Sequence, residues 1–173
     1  SRIARGQQVK TLIAISPDED ITAIVAIEAF SEDSYIFMAT SRGVVKKVTT
    51  KAFANARTHG IIALKLDSGD RLISARLTEG KDEIILITRG GNALRYNEEA
   101  VRSMGRASRG IRGIKLTSKD ELAGVLVIVN EESMLIISEK GYGKRVEYDR
   151  FTPHGRGTKG QIAYKVSEKT GEI

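Results

Sequence analysis

The chain has 173 residues, with 28 basic against 22 acidic side chains for a net charge of +6, and it contains neither cysteine nor tryptophan. That length allows one domain with a real core, burying roughly 70% of the surface its unfolded chain would expose, so no covalent staple is required. The missing cysteines exclude disulfide frameworks, thiolate zinc sites and cysteine nucleophiles, and His59 and His154 lie too far apart for a histidine metal motif. The longest apolar stretch, residues 122–129, falls far short of the roughly 20 residues of a membrane helix. No signal-peptide pattern opens the chain, and a soluble, cytoplasmic protein is expected. The excess of positive charge suggests an anionic partner.

Taken in chain order, the sequence begins inside a loop. Arg2-Ile3-Ala4-Arg5-Gly6 aligns with the segments that end at Gly60 and Gly110, so residues 1–30 read as the end of a truncated unit. A turn at Ser16-Pro17-Asp18-Glu19-Asp20 leads to the first complete unit, residues 31–78, and a second follows over 79–129. An incomplete third covers 130–173, and the whole looks like a segment cut from a longer array, with unpaired edges. In the middle unit the short, β-branched apolar runs predict strands over 83–88, 92–97, 111–116 and 121–128. Arg89-Gly90-Gly91 joins the first two as a tight hairpin, and Thr117-Ser118-Lys119-Asp120 joins the last two, matched by Asp67-Ser68-Gly69-Asp70. Longer loops are expected over 51–58, 98–108 and 149–158, the middle one opening with a single helical turn at Glu98-Glu99-Ala100-Val101. Acidic residues collect in connectors such as Asp18-Glu19-Asp20, Lys81-Asp82-Glu83 and Glu131-Glu132.

Gly60, Gly110 and Gly160 recur at intervals of 50, each preceded by His59, Arg109 or Lys159 and followed five residues later by Lys65, Lys115 or Lys165. A second register, Gly43, Gly91 and Gly141, opens a strand in each unit and is followed four residues on by Lys47, Arg95 or Arg145. A period of this length marks a stacked or circular array whose units cannot bury their apolar faces alone. The expected fold is all-β, with repeated four-stranded antiparallel blades of a propeller-like array forming an incomplete disc.

At Phe37-Met38-Ala39-Thr40, Gly43-Val44-Val45-Lys46-Lys47, Val101-Arg102-Ser103-Met104-Gly105, Gly110-Ile111-Arg112-Gly113-Ile114 and Gly141-Tyr142-Gly143-Lys144-Arg145, the sequence resembles the C-terminal domain of the DNA gyrase A protein. The likeness covers essentially the whole chain. It implies a β-pinwheel of four-stranded blades that wraps double-stranded DNA around a basic rim, with the rest of the gyrase A protein and the gyrase B protein as partners. The family's Gln-Arg-Arg-Gly-Gly-Lys-Gly box is absent, the nearest stretch being Gly155-Arg156-Gly157-Thr158-Lys159-Gly160. The related pinwheel of topoisomerase IV, whose box is degenerate, stays open as an alternative, as does a propeller-type scaffold for an acidic protein.

Wrapping DNA without reading sequence needs cations at intervals along a curve, each meeting a phosphate and releasing counterions. The loop ends supply them: Arg2 and Arg5; Arg57 and His59; Arg106 and Arg109; Arg156 and Lys159; Arg112 joins this set just past Gly110. Lys46, Lys47, Arg95, Lys144 and Arg145 on the second strand of each unit come next, although alternate strand residues face opposite ways. Lys65, Lys115 and Lys165 fit a structural slot as well as a phosphate contact. Tyr35, Phe37, Phe53, Phe151 and Tyr164 fall in or beside apolar runs and are expected in the core, which argues against base stacking. No catalytic constellation, phosphate-cradling motif, metal site or cofactor site is legible, and the resemblance puts cleavage and ATP hydrolysis on other parts of the enzyme.

Overall fold

The computed structural model describes Gly6, Thr11, Ile13, Ile15, Ser16 and residues 18–57, 59–129 and 133–173, so Arg2, Arg5 and Glu131-Glu132 lie outside the described residues. Short aliphatic runs punctuated by glycine turns give β1 (Tyr35–Thr40), β2 (Val44–Thr49), β3 (Leu72–Thr78), β4 (Glu83–Thr88) and β5 (Asn92–Asn97). They continue as β6 (Ile111–Arg112), β7 (Leu122–Ile128), β8 (Ser133–Ile137), β9 (Gly143–Glu147) and β10 (Gln161–Ile162). Among the described residues there is no α-helix; single 3-10 turns follow β2, β5 and β9 at Thr50–Phe53, Glu98–Ala100 and Tyr148–Arg150. The expected helical turn is the second of these, with the Asn97 side chain accepting from the Glu99 N–H at 2.8 Å.

Three hairpins repeat. The N–H of Gly43, Gly91 and Gly141 donates to the carbonyl of Thr40, Thr88 and Ser138 at 2.9, 3.0 and 2.8 Å, closing β1–β2, β4–β5 and β8–β9. All strand pairs are antiparallel, in two four-stranded sheets ordered β3-β1-β2-β6 and β10-β5-β4-β7 and a two-stranded sheet β8-β9.

That order corrects the expected third strand. Only Ile111–Arg112 of the 111–116 run is strand, and it pairs with β2 of the preceding repeat, Val44 opposite Arg112 and Val45 opposite Ile111. β10 joins β5 in the same way. The chain then bends inward, because the N–H groups of Gly113 and Ile114 both donate to Gly43 O, at 2.8 and 3.3 Å, and Ile114 enters the core. The second repeat therefore lends its third strand to the first and returns, through the 117–120 turn, to its own sheet as β7, and the third repeat lends β10 to the second. The conformations match: Gly110 and Gly160 have φ of +93° and +73°, and a Cβ would come within 2.5 Å of Val45 O and 2.2 Å of Ala93 O. Only glycine allows the chain that close to its neighbour's second strand.

The core lies between sheets. Phe37 and Ala39 pack with Ile84, Leu86, Leu94 and Tyr96, whereas the intervening Ile85 and Ile87 pack with Met134, Ile136 and Phe151. Ile36 and Met38 face a third cluster containing Val25, Ile27 and Phe53. Successive residues of one strand thus serve two different cores, so the strands read as continuous apolar runs instead of alternating ones. On β8 the outward pair Leu135 and Ile137 is 64% and 55% exposed, while Phe37 and Ile85 at the corresponding position to Leu135 are fully buried by the next sheet. Phe37, Phe151 and Tyr164 are core residues as expected, Tyr35 and Phe53 are half-buried, and Tyr96 is buried too.

Candidate nucleic-acid interface

β3 packs against β7, so the sheets converge along that edge, and β6 and β10 occupy the opposite edge of their sheets. The loops run along this second edge. Met104 N–H donates to Lys47 O and His154 N–H to Arg95 O, both at 2.9 Å, so the loop of each repeat lies beside the second strand of the one before. The second and third loops then turn on a serine or threonine that sequence reading passed over: the Ser108 and Thr158 hydroxyls donate to Gly105 O and Gly155 O, both at 2.9 Å. Lys65 N–H and Lys115 N–H donate to Ser108 O and Thr158 O of the following loop, at 3.1 and 2.9 Å. Lys65 and Lys115 thus share a backbone slot, and the side chains of Lys65, Lys115 and Lys165 are exposed.

The expected cations separate into two groups. Lys46 and Lys47 face inward. The Lys46 ammonium donates to the carbonyls of Ala63, Arg106 and Ser108, and burial, followed by the nearby Arg106 charge, lowers its pKa. The Lys47 ammonium donates to Gly80 O and Glu98 O at 3.3 and 3.2 Å, lies 3.6 Å from the buried Glu98 carboxylate, and sits 4.9 Å from the Tyr35 ring centre. Arg95, at the position of Lys47 in the next repeat, pairs with Glu83 at 2.9 Å and donates to Tyr148 O at 3.0 Å. Glu98 and Tyr148 both open a 3-10 turn, so Lys47 and Arg95 make one repeated clasp onto the following repeat. Their ammonium and guanidinium groups hold protein, not solvent. Arg106 and Arg156 form a second clasp, donating to Ile62 O and Arg112 O respectively, with Arg156 also reaching Ala100 O at 3.1 Å.

Arg57, His59, Arg109, Arg112, Lys144, Arg145 and Lys159 are exposed. Arg109 makes a loose pair with Asp67 at 3.2 Å, both partners well exposed, an arrangement worth little in water. Lys144 reaches Ala163 O at 3.4 Å. With Arg145 and Arg150 it borders an open groove of about 570 Å³ beside β9, lined also by Phe151 and Ile162. In the first sheet the loop carrying Arg106 and Ser108 fills the corresponding space.

At the hairpin-turn end of the strands the charges are instead matched. Arg71 binds Glu121 at 2.6 Å and Arg89 binds Glu172 at 2.7 Å, so these turns make a neutral ladder. The Glu121 carboxyl is held below the usual range by the Arg71 hydrogen bond, and Arg89 is raised by that of Glu172. Among the described residues no cluster of three His, Asp or Glu side chains could hold a metal, and no helix is long and apolar enough to cross a membrane.

Stacked, strand-exchanging blades with a glycine-anchored cationic loop along the outer edge define a repeat module of the propeller class. The family model described as "DNA gyrase C-terminal domain, beta-propeller" matches residues 34–79, 82–128 and 132–173, and the chain belongs to that family. It is 58% identical over 107 residues to the DNA gyrase A protein of Treponema pallidum, which covers 62% of this chain and 13% of that protein. It is 43% identical over 105 residues to the DNA gyrase A protein of Escherichia coli, 61% of this chain and 12% of that protein. Among solved structures, a DNA gyrase A C-terminal domain superimposes with a TM-score of 0.88 at 28% identity, covering 98% of this chain and 57% of that one. The C-terminal domain of DNA topoisomerase IV gives 0.87 at 25% identity, covering 96% and 52%. The chain thus spans about an eighth of the length of the curated relatives it matches and just over half of the solved domains.

Proposed function

We propose that this chain binds double-stranded DNA through its phosphates, without reading sequence, and bends it along the outer edge of the blades. It would do so as part of the wrapping module of a bacterial type II topoisomerase, DNA gyrase, in the cytoplasm. The observation that carries this reading is the recurrence of exposed cations, Arg57 with His59, Arg109 with Arg112, and Lys159, at the glycine-ended loop of each repeat. The second and third loops are fastened to the preceding blade, so their sites keep a fixed spacing, as a curved series of phosphate contacts requires. The inward-facing Lys46, Lys47 and Arg95 set that spacing, and Arg106 and Arg156 share the task. Catalysis belongs to other regions: strand cleavage to the remainder of the gyrase A protein and ATP hydrolysis to the gyrase B protein, the two protein partners of this module. The curated relatives described above, both gyrase A proteins, favour gyrase over topoisomerase IV.

A nicked plasmid closed by ligase in the presence of the chain tests the reading. A shift in linking number that fades with added salt is expected, and Arg109→Glu should weaken DNA binding and lower the salt slope by about 1 while leaving the melting temperature unchanged. Absence of DNA binding at low salt would overturn the proposal. Binding without any change in linking number would reduce the role from wrapping to simple contact.

A further inference from the structure

Lys46 lies on β2 and is fully buried, yet its partners are not the carboxylates that usually accompany a buried cation. Its three N–H donors go to three carbonyls: Ala63 O at 2.8 Å, Ser108 O at 3.0 Å, and Arg106 O. Ala63 follows Gly60 in one loop end, whereas Arg106 and Ser108 precede Gly110 in the next. One ammonium therefore closes on the ends of two successive loops. The same two segments also touch through Lys65 N–H to Ser108 O and the Arg106 guanidinium to Ile62 O, at 3.1 and 3.5 Å.

The other repeats show what this lysine replaces. Lys144 occupies the equivalent position and donates to Ala163 O, the counterpart of Ala63 O. In the middle repeat the position is Leu94, fully buried, and the counterpart carbonyl, Gly113 O, accepts instead from the Gly157 N–H of the following loop at 2.8 Å. Gly157 has φ of +80°, a conformation open to glycine, and the residue in its place one repeat earlier is Ala107. The loop that lacks the glycine is held by a buried ammonium, and the loop that has the glycine is held by its own backbone beside an apolar side chain.

We propose that Lys46 is a positioning residue of the DNA-binding edge: its buried ammonium fixes two successive loop ends in a single arrangement, so that Arg57, His59 and Arg109 meet the duplex as one preset group. This rests on the DNA-binding reading above. Lys46→Leu in the full chain is the test, a side chain the fold already accepts as Leu94. Two measurements are made on it. Amide hydrogen exchange is followed over residues 60–65 and 105–109, and affinity for a linear duplex of several hundred base pairs is measured across a salt series.

Exchange should rise in those two segments and not in β1 or β4. The dissociation constant should rise by about tenfold, as it would if the competent loop arrangement fell to about a tenth of the population. The salt slope should hold, since the same phosphates are neutralised once the complex forms. Adding Ala107→Gly to Lys46→Leu should restore both quantities toward wild type by supplying the N–H that Gly157 supplies. Unchanged exchange in both segments overturns the proposal, as does raised exchange with unchanged affinity in a chain whose wild type binds DNA. Wild-type protein that fails to bind DNA would instead remove the underlying reading, and the positioning role with it, while the exchange data still reported whether Lys46 joins the loops.

Discussion

Gly60 and Gly160 hold the same place in their repeats and the same φ of +73°, but a methyl group would meet different surroundings at each. At Gly160 a Cβ would lie 2.2 Å from Ala93 O and 2.7 Å from Ala93 C; at Gly60 nothing described lies within 4 Å. Alanine at either site bears the left-handed conformation at about 1 kcal/mol. At residue 160 an ordinary contact also requires the strand to retreat by roughly 1 Å, which breaks the pairing of Gln161 and Ile162 with Ala93 and Asn92. Losing about two hydrogen bonds at about 1 kcal/mol each brings the total to about 3 kcal/mol for Gly160→Ala. Gly60→Ala should remain near 1 kcal/mol. Urea denaturation reads the difference: with a slope of about 2 kcal/mol per molar, the midpoints should fall by about 1.5 M and about 0.5 M. Equal shifts would refute the argument that close approach to the neighbouring strand, and not turn geometry alone, demands glycine here.

Glu98 is fully buried and accepts from the Thr78 hydroxyl and the Gly80 and Asp82 N–H groups at 2.8, 2.7 and 3.1 Å, besides facing Lys47. Glu98→Ala removes the counter-charge of a buried ammonium and leaves three donors unpaired, so a loss of about 3–5 kcal/mol is expected in denaturant melts, whereas Lys47→Met combined with Glu98→Gln should cost less than Glu98→Ala alone. A double variant no milder than Glu98→Ala would show that the charge pair is not the source of the loss. At Asp70, burial alone would raise the carboxyl, but hydrogen bonds from the Thr40 and Ser41 hydroxyls and the Arg42 and Arg71 N–H groups outweigh it and hold the pKa below its usual value. The stabilisation is therefore complete above the ordinary carboxylate value of about 3.9 and is lost as pH falls through the lowered native one. Asp70→Asn should flatten the fall in stability below about pH 4 measured by denaturant midpoints; an unchanged fall in the variant would show that other groups govern it.

The all-β class, the hairpins and the repeat were legible because glycine, turn chemistry and short aliphatic runs are local signals. Strand exchange was not, since nothing in Ile111–Arg112 marks whether it pairs with β5 or with β2; the deciding facts are the Gly110 approach to Val45 and the inward bend at Gly113. The loop cations were legible as a periodic set, but their division was not. Arg106 and Arg109 look alike in sequence, yet one donates to a neighbouring carbonyl and the other faces solvent beside Asp67. For Lys46 and Lys47 the alternation of a strand leaves one side chain of the pair for the rim, yet both are buried. The strand runs between two cores, leaving no solvent face, and that long-range fact carries no local mark.

Strand lending also limits how such an array changes length over evolutionary time. A break after Gly110 deprives the sheet of β1 and β2 of its outer strand as well as removing β7 from the sheet of β4, so a partial deletion harms two units at once. Only a cut that moves by a whole period leaves every remaining sheet intact, and a duplication must likewise add a whole period to find both a lender and a borrower. Unit number in this architecture is thus inherited in integers, with no viable half-steps between one disc size and the next.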